Sequence, residues 1–168
     1  MTLDAAEFKW PIIATLLHAL QYIRSLNRQT KTKYRLTKQF QKENKDKPFD
    51  RYNSNHPEML AADRAFLNFQ EQSIPFLTAL WLQAVFVNPN KAGKLGVFWV
   101  LLRMVYPTLL GKQLENVNPK RVALVTFPCY MILYYMLGDV LRAGLQWQSG
   151  FFMFFFMIGF PMLAYNLA

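Results

Sequence analysis

The chain has 168 residues, 53% of them hydrophobic and 16% aromatic, with a formal net charge of +9, enough for one domain. Its charges are confined to short stretches instead of being spread over every helix, which excludes an ordinary soluble domain and is the distribution that membrane loops require. The excess of Lys and Arg reads as membrane topology and not as a nucleic-acid footprint, because most of the sequence is lipid-soluble. The one cysteine, Cys129, allows no internal disulfide, and no metal site is expected.

The first apolar segment spans 8–23. Pro11 suits the first turn of a helix, where no backbone donor is missed. The segment is short for a span of roughly 20 residues, and Arg24 and Arg28 lengthen it by reaching for headgroups. Asp4 and Glu7 offset Lys9 and no small-residue cleavage site follows, so it is expected to be kept as a helix. His18 within it reads as a packed polar residue.

A basic loop is expected over 24–64, punctuated by Pro48 and Pro57. Further apolar helices are expected over 65–87, 95–111 and 122–141, joined by polar links. An extra apolar segment over 150–165, dense in Phe and Met, ends the chain. With helices alternating in direction, the 24–64 loop and the 112–121 link share one side and carry fourteen Lys or Arg, against four on the other. That asymmetry predicts a cytosolic or equivalent face for the loop. The fold class is therefore all-α: an integral membrane four-helix bundle protomer with an extra C-terminal apolar helix.

The second helix carries the chemistry. Arg64, Asn68 and Glu71 stand at i, i+4 and i+7 and share one helical face. Glu71 lies well inside the apolar run, where a carboxylate costs about 2.5 kcal/mol or more on insertion scales. Two readings are open. The three residues could form a polar ladder that locks helices together, or they could read a ligand. Such a ligand needs an ammonium for Glu71 and a carboxylate or amide for Arg64 and Asn68, which describes an amino-acid-like zwitterion and not a plain lipid.

The run from Asp63 to Phe76 resembles the hallmark of the MAPEG superfamily, the membrane-associated proteins in eicosanoid and glutathione metabolism. The pattern R-x-x-x-N-x-x-E, followed shortly by P, is matched by Arg64, Asn68, Glu71 and Pro75. The resemblance extends over about residues 8–141. Gln72 stands where the leukotriene-forming branch has Tyr, and the third helix offers one clear Tyr. The three residues between Glu71 and Pro75-Phe76 are closer to the microsomal glutathione transferase branch.

The resemblance implies a trimer of four-helix protomers with glutathione as co-substrate at the subunit interface, open to the cytosol. Arg64, Asn68 and Glu71 would hold its charged backbone, with Arg24 or Arg28 as a further anion contact and Arg103 and Tyr106 contributed by the third helix. Arg121, at the start of the fourth helix, would favour the thiolate, and Tyr106 would be its catalytic companion. The implied activity is a glutathione-dependent transferase or peroxidase acting on lipophilic electrophiles or lipid hydroperoxides, in the endoplasmic reticulum or another organelle membrane. The alternative is a non-catalytic scaffold or accessory subunit, meeting other membrane subunits through the 150–165 helix. A transporter fits poorly, because the helices are few and short and show no inverted repeat.

Overall fold

The computed structural model describes residues 4–44, 55–114 and 117–146. The segment 150–165 lies outside the described residues. The chain forms four helices: α1 (Lys9–Glu43), α2 (Pro57–Phe86), α3 (Pro89–Leu110) and α4 (Pro119–Gly144). The last three begin alike, with a side chain that caps the helix followed by proline in the first turn. His56 Nδ1 accepts from Glu58 N at 3.3 Å, Asn88 Oδ1 from Lys91 N at 2.9 Å and Asn118 Oδ1 from Lys120 N at 3.0 Å. Each cap satisfies a backbone donor that the helix start leaves open, and each proline has no donor to lose there.

The long basic loop expected over 24–64 is instead largely helical. α1 runs unbroken to Glu43, about 52 Å at 1.5 Å per residue, and α2 starts at Pro57, eight residues before the apolar run. Charge keeps these turns out of an apolar medium but does not prevent a helix. A narrow buried seam holds them together: Leu36 and Thr37 from α1, Met59 and Ala61 from α2. Polar pairs flank the seam. Gln29 donates to Asp63 at 2.7 Å, Lys33 meets Asp63 at 3.3 Å and Arg35 pairs with Glu58. The helix starts at Pro89 and Pro119 also precede the expected ones at 95 and 122, because capped polar first turns carry no hydrophobic signal.

α1 and α4 each pack on both α2 and α3. The core between them is aromatic and tight. Phe76 and Trp99 stack with ring centroids 4.0 Å apart, and Leu80, Ala14, Val100, Cys129 and Met136 belong to the same buried core. Close approach of α1 to α3 depends on Gly93: a Cβ there would stand 2.2 Å from the Trp10 carbonyl carbon, which is backbone and cannot move aside. His18 lies between Phe69 and Phe76, with ring centroids at 5.0 and 5.4 Å, and its Nε2 meets Ser73 Oγ at 3.1 Å. It is thus a packed polar residue that joins α1 to α2.

α3 and α4 are long and apolar enough to cross a membrane. The outward faces carry large apolar side chains, among them Leu20, Ile74, Leu124 and Phe127. Three prolines sit inside helices, at Pro75, Pro107 and Pro128. A helical proline cannot donate to the carbonyl four residues earlier. Two of the carbonyls freed in this way belong to Glu71 and Arg103.

Candidate functional site

The polar face of α2 meets one cation from α3. Arg103 is 1% exposed and its Nη2 donates to Asn68 Oδ1 at 2.6 Å. Its guanidinium lies over the Tyr106 ring at 4.6 Å and faces the Trp99 and Phe69 rings at 5.7 and 6.0 Å. No carboxylate pairs with it among the described residues. The ring faces and the Asn68 oxygen stabilise the charge in part. Two of its donors, Nε and Nη1, are buried without an acceptor among the described residues. A buried donor left open costs roughly 1–3 kcal/mol, more when it is charged.

Arg64 and Glu71 frame the outer edge. Their side chains are 53% and 58% exposed, and Arg64 Nη1 stands 3.9 Å from Glu71 Oε1, the limit of an ion pair. Such a pair contributes little to stability and leaves both groups available. Tyr106 lies within electrostatic range of Arg64, Glu71, Arg103 and Tyr130, and Arg103 within that of Glu71 and Tyr130. Gln72, one position on from Glu71, is buried with its Nε2 lacking an acceptor among the described residues. The cluster therefore presents several hydrogen-bond donors and one accessible carboxylate, arranged on two helices.

The other expected site residues fall into two groups. Tyr106 is buried under Arg103, so it joins the cluster as a support for the guanidinium. Arg28 reaches α3 at the same end of the bundle, donating from Nη2 to the Pro107 carbonyl at 3.3 Å. Arg24 and Arg28 line a small cavity of about 70 Å³ with Met104 and Pro107. Arg121 is exposed in the first turn of α4. No side-chain contact among the described residues joins it to Arg103 or Glu71.

A family model described as the MAPEG family matches residues 9–141. The chain belongs to the MAPEG family. No curated protein and no solved structure matches it. The MAPEG family includes glutathione-dependent transferases and peroxidases, and with α3 and α4 it marks this chain as a membrane protein in contact with the lipid bilayer. The all-helical architecture agrees with a MAPEG membrane bundle.

Two features of this MAPEG chain escape the sequence reading. Tyr130, from α4, stacks on Tyr134 at 6.2 Å and lies within electrostatic range of Arg103 and Tyr106. The other is a second polar centre at the opposite end of the bundle. Asp139, with its side chain 3% exposed, accepts from Lys91 Nζ at 2.8 Å, Gln83 Nε2 at 2.9 Å and Arg142 Nη2 at 3.3 Å. A lone acid inside the fourth apolar segment was the signal for it.

Proposed function

We propose that this MAPEG protein binds glutathione on the Arg64–Asn68–Glu71 face and uses its thiol against lipophilic electrophiles or lipid hydroperoxides. The observation that carries the reading is Arg103. It is a buried cation with two open donors, tied to Asn68 of the hallmark motif. The residues fit the co-substrate's chemistry. Glu71 offers a partner to an ammonium, Arg64 to a carboxylate, and Arg103 and Gln72 have donors that a peptide carbonyl or carboxylate would satisfy. Arg24 and Arg28 would extend the anion contacts at the same end.

A free thiol has a pKa of about 8.5, and only its thiolate attacks. Arg121 is the group assigned to favour that thiolate, since a guanidinium is permanently charged. Among the described residues it makes no side-chain contact with the cluster, so in this reading an adjoining copy supplies it, in a homotrimer with the site at the subunit interface. Tyr106 orients Arg103 and stands by the thiol as a donor. In the transferase reaction the thiolate forms a carbon–sulfur bond and the leaving group departs with its electron pair. With a hydroperoxide the thiolate takes the distal oxygen and the alkoxide leaves and is protonated; a second glutathione then releases water and forms the disulfide. The match of Glu71 to Phe76 favours the microsomal glutathione transferase branch, and a lipid-embedded site favours substrates that concentrate in the bilayer. The endoplasmic reticulum or another organelle membrane, with the basic end toward the cytosol, suits that role.

The test is thiolate absorbance of glutathione bound to the detergent-purified protein, followed across pH for wild type and Arg121→Ala. The reading expects a bound thiolate at neutral pH that is lost in the variant. Absence of glutathione binding to folded protein would leave a non-catalytic scaffold or accessory subunit as the better account.

A further inference from the structure

A second cationic site lies just outside the first. α3 is an apolar helix that ends at Leu110, and Gly111 then turns the chain with φ +79°, in the left-handed region that favours glycine. That turn brings Lys112 to a cleft of about 130 Å³ between α1 and α2, where Arg28, Thr32, Arg35 and Glu58 line it. Three cations face one carboxylate, an excess of two positive charges. The carboxylate is already engaged: Arg35 bonds Glu58 and holds its carboxyl below the usual range, and the Lys112 charge acts in the same direction. On α2, Glu58 and Ala62 face about 100° or more away from Arg64 and Glu71 and Ala61 about 60° or more, so the cleft's one α2 charge, Glu58, points away from the hallmark face.

Position adds to charge. The cleft opens one residue beyond the end of an apolar helix long enough to span a bilayer. That is the depth of lipid phosphates, and basic pockets between helices at this depth bind acidic headgroups. Its volume admits a small oxyanion and not a peptide. Both amide-rich and aromatic surfaces are lacking among its lining residues, so charge is what it reads. We infer that the Arg28–Arg35–Lys112 cleft binds a phosphate group, that of an anionic phospholipid headgroup or of a soluble phosphate ester. The inference does not rest on glutathione binding. Arg28 is shared with the glutathione reading, so the test uses the other two cations.

The experiment is native mass spectrometry of the full-length protein in detergent, titrated with phosphatidate, with phosphatidylcholine of the same acyl chains, and with glycerol 3-phosphate. One phosphatidate per chain is expected to bind well before phosphatidylcholine does. Lys112→Glu and Arg35→Gln should each weaken it about tenfold or more, while Lys112→Arg keeps wild-type affinity. Lys112 is exposed beyond the helix end, so Lys112→Glu is expected to keep the wild-type unfolding temperature and its glutathione binding. Tight binding of glycerol 3-phosphate would support the site and assign it to soluble esters. Equal binding of the two lipids, or unchanged phosphatidate binding in Lys112→Glu and Arg35→Gln, would overturn it.

Discussion

The bundle contains two polar clusters that look alike by composition and behave oppositely. Around Asp139, one buried carboxylate receives three donors from three helices, and two of them, Lys91 and Arg142, are cations with partial access to water. Gln83 Oε1 and Arg142 Nε there are buried without a partner among the described residues, but the central charge itself is fully paired. Around Arg103 the signs are reversed and the central charge is not. A buried cation has one oxygen partner and two open donors, beside an exposed carboxylate held only loosely by Arg64. The first is a clamp at the end of the bundle. In the second the buried charge itself lacks a counter-ion among the described residues, which is what sets it apart from the first.

The sharpest way to break the comparison is to remove Asp139. Asp139→Ala strands Gln83 and leaves two cations without their anion, and should destabilise the protein by about 3 kcal/mol, seen as a lower unfolding temperature in detergent. The remaining folded protein should bind glutathione as wild type does. Arg103→Met should act in reverse. An unpaired buried cation is exchanged for an apolar side chain of similar reach, so stability should hold within about 1 kcal/mol. Glutathione affinity should fall by about 2 kcal/mol, the size of a charged hydrogen bond, measured by calorimetry.

These opposite expectations were only half legible in the sequence. Arg64, Asn68 and Glu71 announce themselves, because i, i+4, i+7 spacing fixes a face before any tertiary contact is known. That Asn68 would be spent on Arg103 could not be read, since the two lie 35 residues apart and no local rule pairs them. α3 and α4 are visible as apolar runs. The outer half of α1 and the first turns of α2 are not: their seam is only a few small or medium side chains wide, and Lys and Arg around it read as a solvated loop. Asp139 is legible as an acid inside an apolar run, but its partners Lys91 and Gln83 come from other helices and no local spacing joins them. Tyr130 is one of three tyrosines in α4, and nothing in the sequence singles it out from Tyr134 and Tyr135.

Smaller effects refine the contrast. Glu71→Gln removes the one accessible carboxylate and should weaken glutathione binding by about 1.5 kcal/mol, with stability nearly unchanged because its pair with Arg64 is exposed and long. Weakest of all is the pH response of the outer α1–α2 contact. Arg35 depresses the Glu58 carboxyl in the folded protein, so the contribution is complete above the ordinary Glu value of about 4.3. It is lost as pH falls through the lower folded value. Hydrogen exchange of residues 57–62 should quicken there in wild type and not in Glu58→Gln. The exposure of the pair keeps the effect small.

The contrast between the paired carboxylate and the unpaired cation is tested most directly by the rise in unfolding temperature that glutathione causes in Arg103→Met compared with wild type. The account predicts that both proteins unfold at nearly the same temperature without glutathione and that only wild type is stabilised when it is added. An equal rise in the two proteins would contradict it, and would make Arg103 a packing residue like those around Asp139.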